Sequence, residues 1–204
     1  MANVNAPSGL SPVSYANGNT WNNQARMYCI FNTDTNAYAI GDPVASDATN
    51  GADANGVAAV TLATAGTGNA LRGVIVGMGG TVYGGPGGDP AAPFASTVIP
   101  ATKTQKYYVM VADDPDILFE IQEVNSGTPI LMTGVGLNEN LLSGTNNGFV
   151  SGWTLNNSSI PASGSTIQMK MIQLVQRKDN VPGLAQRWIV KINNHELAGG
   201  TTGV

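Results

Sequence analysis

The side chains best equipped for chemistry crowd into KYYVMVADDPDILFEIQEV, residues 106–124. There Asp113, Asp114 and Asp116 stand between two apolar runs, and Glu120 and Glu123 follow. Carboxylates this close could hold a divalent cation or supply an acid–base pair. A calcium loop needs ligands spaced as D-x-[DN]-x-[DN]-G, with glycine at the sharp turn. DDPDILFE has no glycine, and Pro115 stiffens it. A glycosidase draws its two carboxyl groups from different strands, and local spacing identifies no such pair. Asp accepts local backbone hydrogen bonds and Pro presets φ, so Asp-Pro starts a turn. The stretch reads as the turn of a β-hairpin.

The remaining reactive groups are sparse. His195 is the single histidine, set in NNHE, and no nucleophile and orienting acid stand around it in a triad arrangement. Cys29 is the single cysteine, so no intramolecular disulfide is possible. Flanked by Tyr28 and Ile30, it reads as a small core side chain on a strand. One His, one Cys and scattered carboxylates lack metal-ligand spacing. The loop MGGTVYGGPGGDPAAP, residues 78–93, has glycines but no G-K-[ST] and no helix after it, so it is no phosphate cradle. Trp21, Trp153 and Trp188 are dispersed and form no stacking platform. The expectation is a protein with no catalytic residue, no cofactor and no metal.

Composition narrows the class further. The chain has 204 residues, 42% hydrophobic but 11% charged, against about 25% charged in an ordinary soluble domain. Its polar surface must come from Asn, Thr, Ser, Gly and Gln. A net charge of −4 argues against nucleic acid or an anionic membrane as partner. Lys170, Arg177, Lys178, Arg187 and Lys191 gather late in the chain and read as a solvated face. The first residues, MANVNAPSGLSPV, lack the basic and apolar regions of a signal peptide. No apolar run approaches spanning length, so the chain is expected to be made in the cytoplasm, unprocessed and soluble.

The elements that must position these groups are strands. With 26 Gly and 11 Pro, the sequence favours many turns over long helices. Strands are expected at 25–32, 37–44, 57–64, 71–78, 96–100, 106–112, 117–124, 148–155 and 187–195. TNGADANG, with Asn-Gly at 50–51 and 55–56, marks a hairpin. TIQMKMIQLVQ, residues 166–176, fits both alternation and helical spacing; its β-branched content tips it to a strand. The fold class is all-β, a β-sandwich, jelly-roll-like, or an open barrel of eight to ten short strands. Residues 1–24, rich in Pro and Asn, read as an extended N-terminal arm, and 25–204 as a single β domain with a Gly/Pro-rich loop at 79–93. Val4, Leu10, Val13, Tyr15 and Trp21 are apolar anchors spaced along that arm. On this reading the arm is separable, and deleting residues 2–21 leaves the domain folded.

Four segments carry a resemblance. NAPSGLSPV (5–13), IGDPV (40–44), VADDPDILFEIQ (111–122) and INNH (192–195) stand in this order, and in that order they resemble a group of tailed-bacteriophage virion structural proteins. The resemblance implies a head decoration (cement) protein on the capsid exterior, without enzymatic activity. Such a protein bridges neighbouring subunits of the major capsid protein and is itself a homo-oligomer, dimer or trimer. It would be synthesised in the host cytoplasm and reside in the virion. The anchors Val4, Leu10, Val13, Tyr15 and Trp21 would then be the capsid-contact residues. Two other classes compete: a tail- or fibre-associated receptor-binding β module, and a carbohydrate-active enzyme, which needs convergent carboxylates and exposed aromatics.

Overall fold

The computed structural model describes residues 3–81, 97–159 and 161–203, and over these the chain is all-β, with one 3-10 turn at Met132–Gly134. One antiparallel sheet runs, in spatial order, β1 (Ser11–Tyr15), β9 (Ile117–Gln122), β14 (Arg187–Ile192), β13 (Met169–Leu174) and β10 (Asn138–Glu139). The second runs β2 (Arg26–Ile30), β8 (Tyr107–Ala112), β6 (Gly73–Thr81), β4 (Pro43–Ser46) and β5 (Val60–Leu62). Two short ribbons complete the described strands: β3 (Tyr38–Ala39) with β7 (Val98–Ile99), and β11 (Leu141–Leu142) with β12 (Thr154–Leu155). No helix among the described residues is long and apolar enough to cross a membrane.

Alternation dictates the first sheet. Ile117, Phe119 and Ile121 of β9 are buried, and across the ladder Trp188 faces Ile121 while Val190 faces Phe119. Each such side chain contributes about 1.5–3 kcal/mol by leaving water. In β13 the register shifts between Met171 and Gln173. The bulge moves the core-facing series from Met169 and Met171 to Leu174. That step of three is why the segment also satisfies helical spacing.

The second sheet curls until its edges meet. Ala59, just before β5, bridges Cys29 of β2, whose N–H donates to the Ala58 carbonyl at 2.9 Å. The roll encloses Tyr28, Ile30, Val44, Val60, Ile75, Val109 and Val111, and the β3–β7 ribbon adds Tyr38 and Ile99. Val74 and Ala112, alternating with those residues, join instead the cluster built on the first sheet. The result is sandwich-like: a sheet packed on the outside of a roll.

Several expectations are revised. β8 and β9 do not pair; β8 lies in the roll and β9 in the first sheet. The DDPD segment is therefore a turn between sheets and not a hairpin turn, because turn chemistry says nothing about which strands its arms will join. The arm of residues 1–24 is not separate from the β domain: β1 is an edge strand of the first sheet. Proline is tolerated there because an edge strand needs only half its backbone donors, and the register shifts between Pro12 and Ser14. The Gly/Pro-rich loop begins later than residue 79, since β6 continues to Thr81; its residues 82–93 lie outside the described residues. Among the described residues nine strands have three or more residues and five have two. The Asn-Gly hairpin joins β4 to β5, with Gly51 at φ 68° and Gly56 at φ 80°.

Candidate functional site

Three segments singled out in the sequence, 5–13, 40–44 and 111–122, pack on one another, while the fourth, 192–195, bonds elsewhere, to Gln168 and Leu71. Gly9 and Gly41 pack backbone to backbone: the Leu10 N–H donates to the Gly41 carbonyl at 3.0 Å, with φ 66° at Gly9 and 94° at Gly41. A Cβ on Gly9 would lie 2.3 Å from the Gly41 oxygen, and one on Gly41 2.3 Å from the Ser8 oxygen. Both positions require glycine. Gln122 clamps the chain just upstream, accepting from the Ala6 N–H at 3.0 Å and donating to Asn5 Oδ1 at 2.8 Å. Arg187 of β14 donates to the Ala6 carbonyl at 2.7 Å and sits 3.4 Å from Glu120. Asn3 reaches across to the Val181 and Leu184 carbonyls.

The acidic turn is divided in its roles. Asp113 is buried; its Oδ2 accepts from the Tyr28 hydroxyl at 2.6 Å, with Arg26 at 3.4 Å. Arg72 donates to the same Tyr28 hydroxyl at 2.8 Å and lies 3.7 Å from Glu196, which accepts from the Ser46 N–H at 2.8 Å. This chain of polar groups ties β2, β4, the entry to β6, the inter-sheet turn and the C-terminal segment together. Asp114 accepts from the Asp116 N–H within the turn, and Asp116 pairs with Lys191 at 2.6 Å. Of the other late cations, Arg177 and Arg187 both meet Glu120, whereas Lys170 donates to the Thr202 carbonyl.

His195 lies beside this network. Its Nδ1 accepts from the Leu197 N–H at 3.0 Å, while the buried Nε2 has no partner. Burial pulls its pKa down, so the ring is neutral at pH 7. Glu123 is wholly buried; one oxygen accepts from Ile130, Gln186 and Trp188, and burial pushes the carboxyl up. Burial raises Glu139 as well, which is held by the Asn140 N–H and the Ser159 hydroxyl. Cys29 is buried and its thiol is pushed up to about 12, mainly by burial and then by the charge of Asp53. A thiol held protonated is a poor nucleophile. Among the described residues no group of three or more His, Cys, Asp or Glu side chains is placed to hold a metal ion.

The five anchors have separate fates. Leu10 is 1% exposed and belongs to the larger core, so its side chain is spent on internal packing. Tyr15 and Trp21 pack against the same core from its edge, and Val13 is half-buried. Val4 alone of the five is strongly exposed, at 74%. Beside Tyr15 the 17–24 loop and the acidic turn form a polar cleft of about 270 Å³ lined by Asn17, Asn19, Asn22, Asp114 and Asp116. An apolar groove of about 530 Å³ lies elsewhere, lined from within residues 127–137 and by Asn157, Ser158, Ser159 and Pro161. Sequence reading passed over it because Gly, Thr and Pro interrupt any period there; the signal was the charge-free run ILMTGVGL.

No family model, curated protein or solved structure matches the chain.

Proposed function

We propose that this protein is a head decoration (cement) protein of a tailed bacteriophage, binding the outside of the capsid and bridging neighbouring major capsid subunits without catalysing a reaction. The observation that supports this reading is that three of the four resembling segments, 5–13, 40–44 and 111–122, pack on one another. Gly9, Gly41, Asn5, Gln122 and Glu120 all serve internal contacts there, and Asp113 does so with Tyr28 at the turn between the sheets. Polar residues arranged this way fix a scaffold, and a scaffold that holds a surface in place is what a cement protein needs. Function still has to be read from a surface, since β-sandwiches carry many activities. The test is stoichiometry in purified virions of the phage that encodes the chain, by quantitative mass spectrometry. Hundreds of copies per particle are expected.

A second reading is a tail- or fibre-associated receptor-binding module. The polar cleft beside Tyr15 favours it, because clustered amides and carboxylates are suited to a ligand rich in hydroxyl groups. A handful of copies per virion would establish that reading and overturn the first.

A further inference from the structure

A cavity of about 300 Å³ opens beside the 143–146 loop, with Asp42, Leu62, Ser143, Thr145, Asn146 and Trp153 in its lining. Its loop wall is fixed in place. Gly144 and Gly152 pack backbone to backbone, and a Cβ on Gly144 would run into the Gly152 carbonyl. The Ser151 N–H donates to the Ile40 carbonyl at 2.9 Å, which ties the same loop to the Asp42 turn. A preformed hollow with a few convergent polar groups has the layout of a ligand site, and this volume suits a small ligand.

Asp42 is the one charged residue among the described residues of that lining. It is 3% exposed; its Oδ2 accepts from the Ala39 N–H at 2.7 Å, and the Ser151 hydroxyl donates to the carboxyl. An asparagine carbonyl would serve Ala39 equally well, so the turn uses the acceptor and leaves the charge unused. Among the described residues no lysine, arginine or histidine forms an ion pair with Asp42. A buried carboxylate without a cation is costly.

We propose that this cavity binds a small primary alkylammonium ion, its N–H groups donating to the Asp42 carboxylate and its alkyl stem lying along Leu62 and Trp153. The ion supplies the missing charge through a charge-assisted hydrogen bond, the stronger kind. The hydroxyl oxygens of Ser143 and Thr145 can accept its remaining protons, and an aromatic wall attracts a cation. A metal ion fits less well, since it needs several hard oxygen ligands and half of this lining is apolar. A neutral alcohol or sugar would leave the charge unmet. The proposal stands apart from the capsid reading and is tested on the isolated chain.

The experiment is a chemical-shift titration of the ¹⁵N-labelled full chain with n-butylammonium, with 1-butanol as the uncharged probe of similar shape. At pH 7 n-butylammonium is expected to shift the amides of residues 143–146 and the Trp153 indole N–H saturably, and 1-butanol to leave them in place. Asp42→Asn should weaken binding by roughly 30-fold or more, as loss of a buried charge partner does. Nα-acetyl-lysine methylamide, titrated alongside, separates a lysine side chain from a free amine and should bind no more tightly. Should Asp42→Asn not melt cooperatively, pH gives the same reading on the wild type. Asp42 takes up its proton at about 6, so affinity should fall roughly tenfold from pH 7 to pH 5. The proposal is overturned by no saturable shift at 143–146, by equal binding of 1-butanol, or by a folded Asp42→Asn that binds like wild type. An affinity flat with pH, or tighter binding of the lysine derivative, overturns it as well.

Discussion

Asp42 is a carboxyl placed almost out of reach of water, with the Ala39 N–H at 2.7 Å and the Ser151 hydroxyl as its partners. Burial raises it from 3.8 to about 6. Between these values the folded protein keeps a proton that the unfolded chain has released, so its contribution is full below 3.8 and is lost as pH rises through about 6. His195 acts in the opposite sense: lowered from 6.5, it contributes stability above 6.5 that is lost as pH falls. Comparing Asp42→Asn with wild type cancels the His195 effect. Asn keeps an acceptor for Ala39 and does not titrate. The wild type should therefore lose on the order of 2 kcal/mol more than the variant between pH 4 and pH 7, read by urea unfolding across that range. Parallel pH profiles would refute the assignment.

At the scale of elements, the strands with alternation or an unbroken apolar run were legible: β2, β8, β9 and β14 all stand where the pattern placed them. β1 was not, because Pro12, Gly9 and a run of Asn and Ser mimic a tail, and only its pairing with β9 makes it a strand. β10, β11 and β12 have two residues each, too few to show a period. The candidate site divided the same way. Its chemical groups were visible as residue types, but the partners of Asp113 come from positions 26, 28 and 72, which no local window contains. For β1 the structure reverses the earlier expectation about the arm. Leu10→Ala should cost about 2–5 kcal/mol, the usual loss for a fully buried leucine. Removing residues 2–15 should cost more, since it also strips an edge strand and the Gln122 clamp. Chemical denaturation checks both; a deletion as stable as wild type would restore the idea of a separable arm.

Across the whole molecule, sheet and roll share more than a contact. Val74 and Ala112 of the roll lie in the first sheet's core, Leu62 touches both clusters, and the Tyr28–Asp113–Arg72 network crosses the boundary. Neither half can open without exposing apolar surface and unpairing buried charge. Heating should give one transition with equal calorimetric and van't Hoff enthalpies. Two resolved transitions would mean that the roll and the sheet are independent units.

The spatial order of the first sheet has a consequence for biosynthesis. Its middle strand, β14, is the last to leave the ribosome, whereas its neighbour β9 emerges some seventy residues earlier. Until residues 187–192 arrive, the nascent chain carries Ile117, Phe119 and Ile121 beside an unpaired strand edge, the kind of surface that recruits chaperones or seeds aggregation. Every strand of the roll lies before residue 113, so the roll has all its sequence in hand first. The sheet closes only once residues 187–192 have been made, with β14 as its keystone.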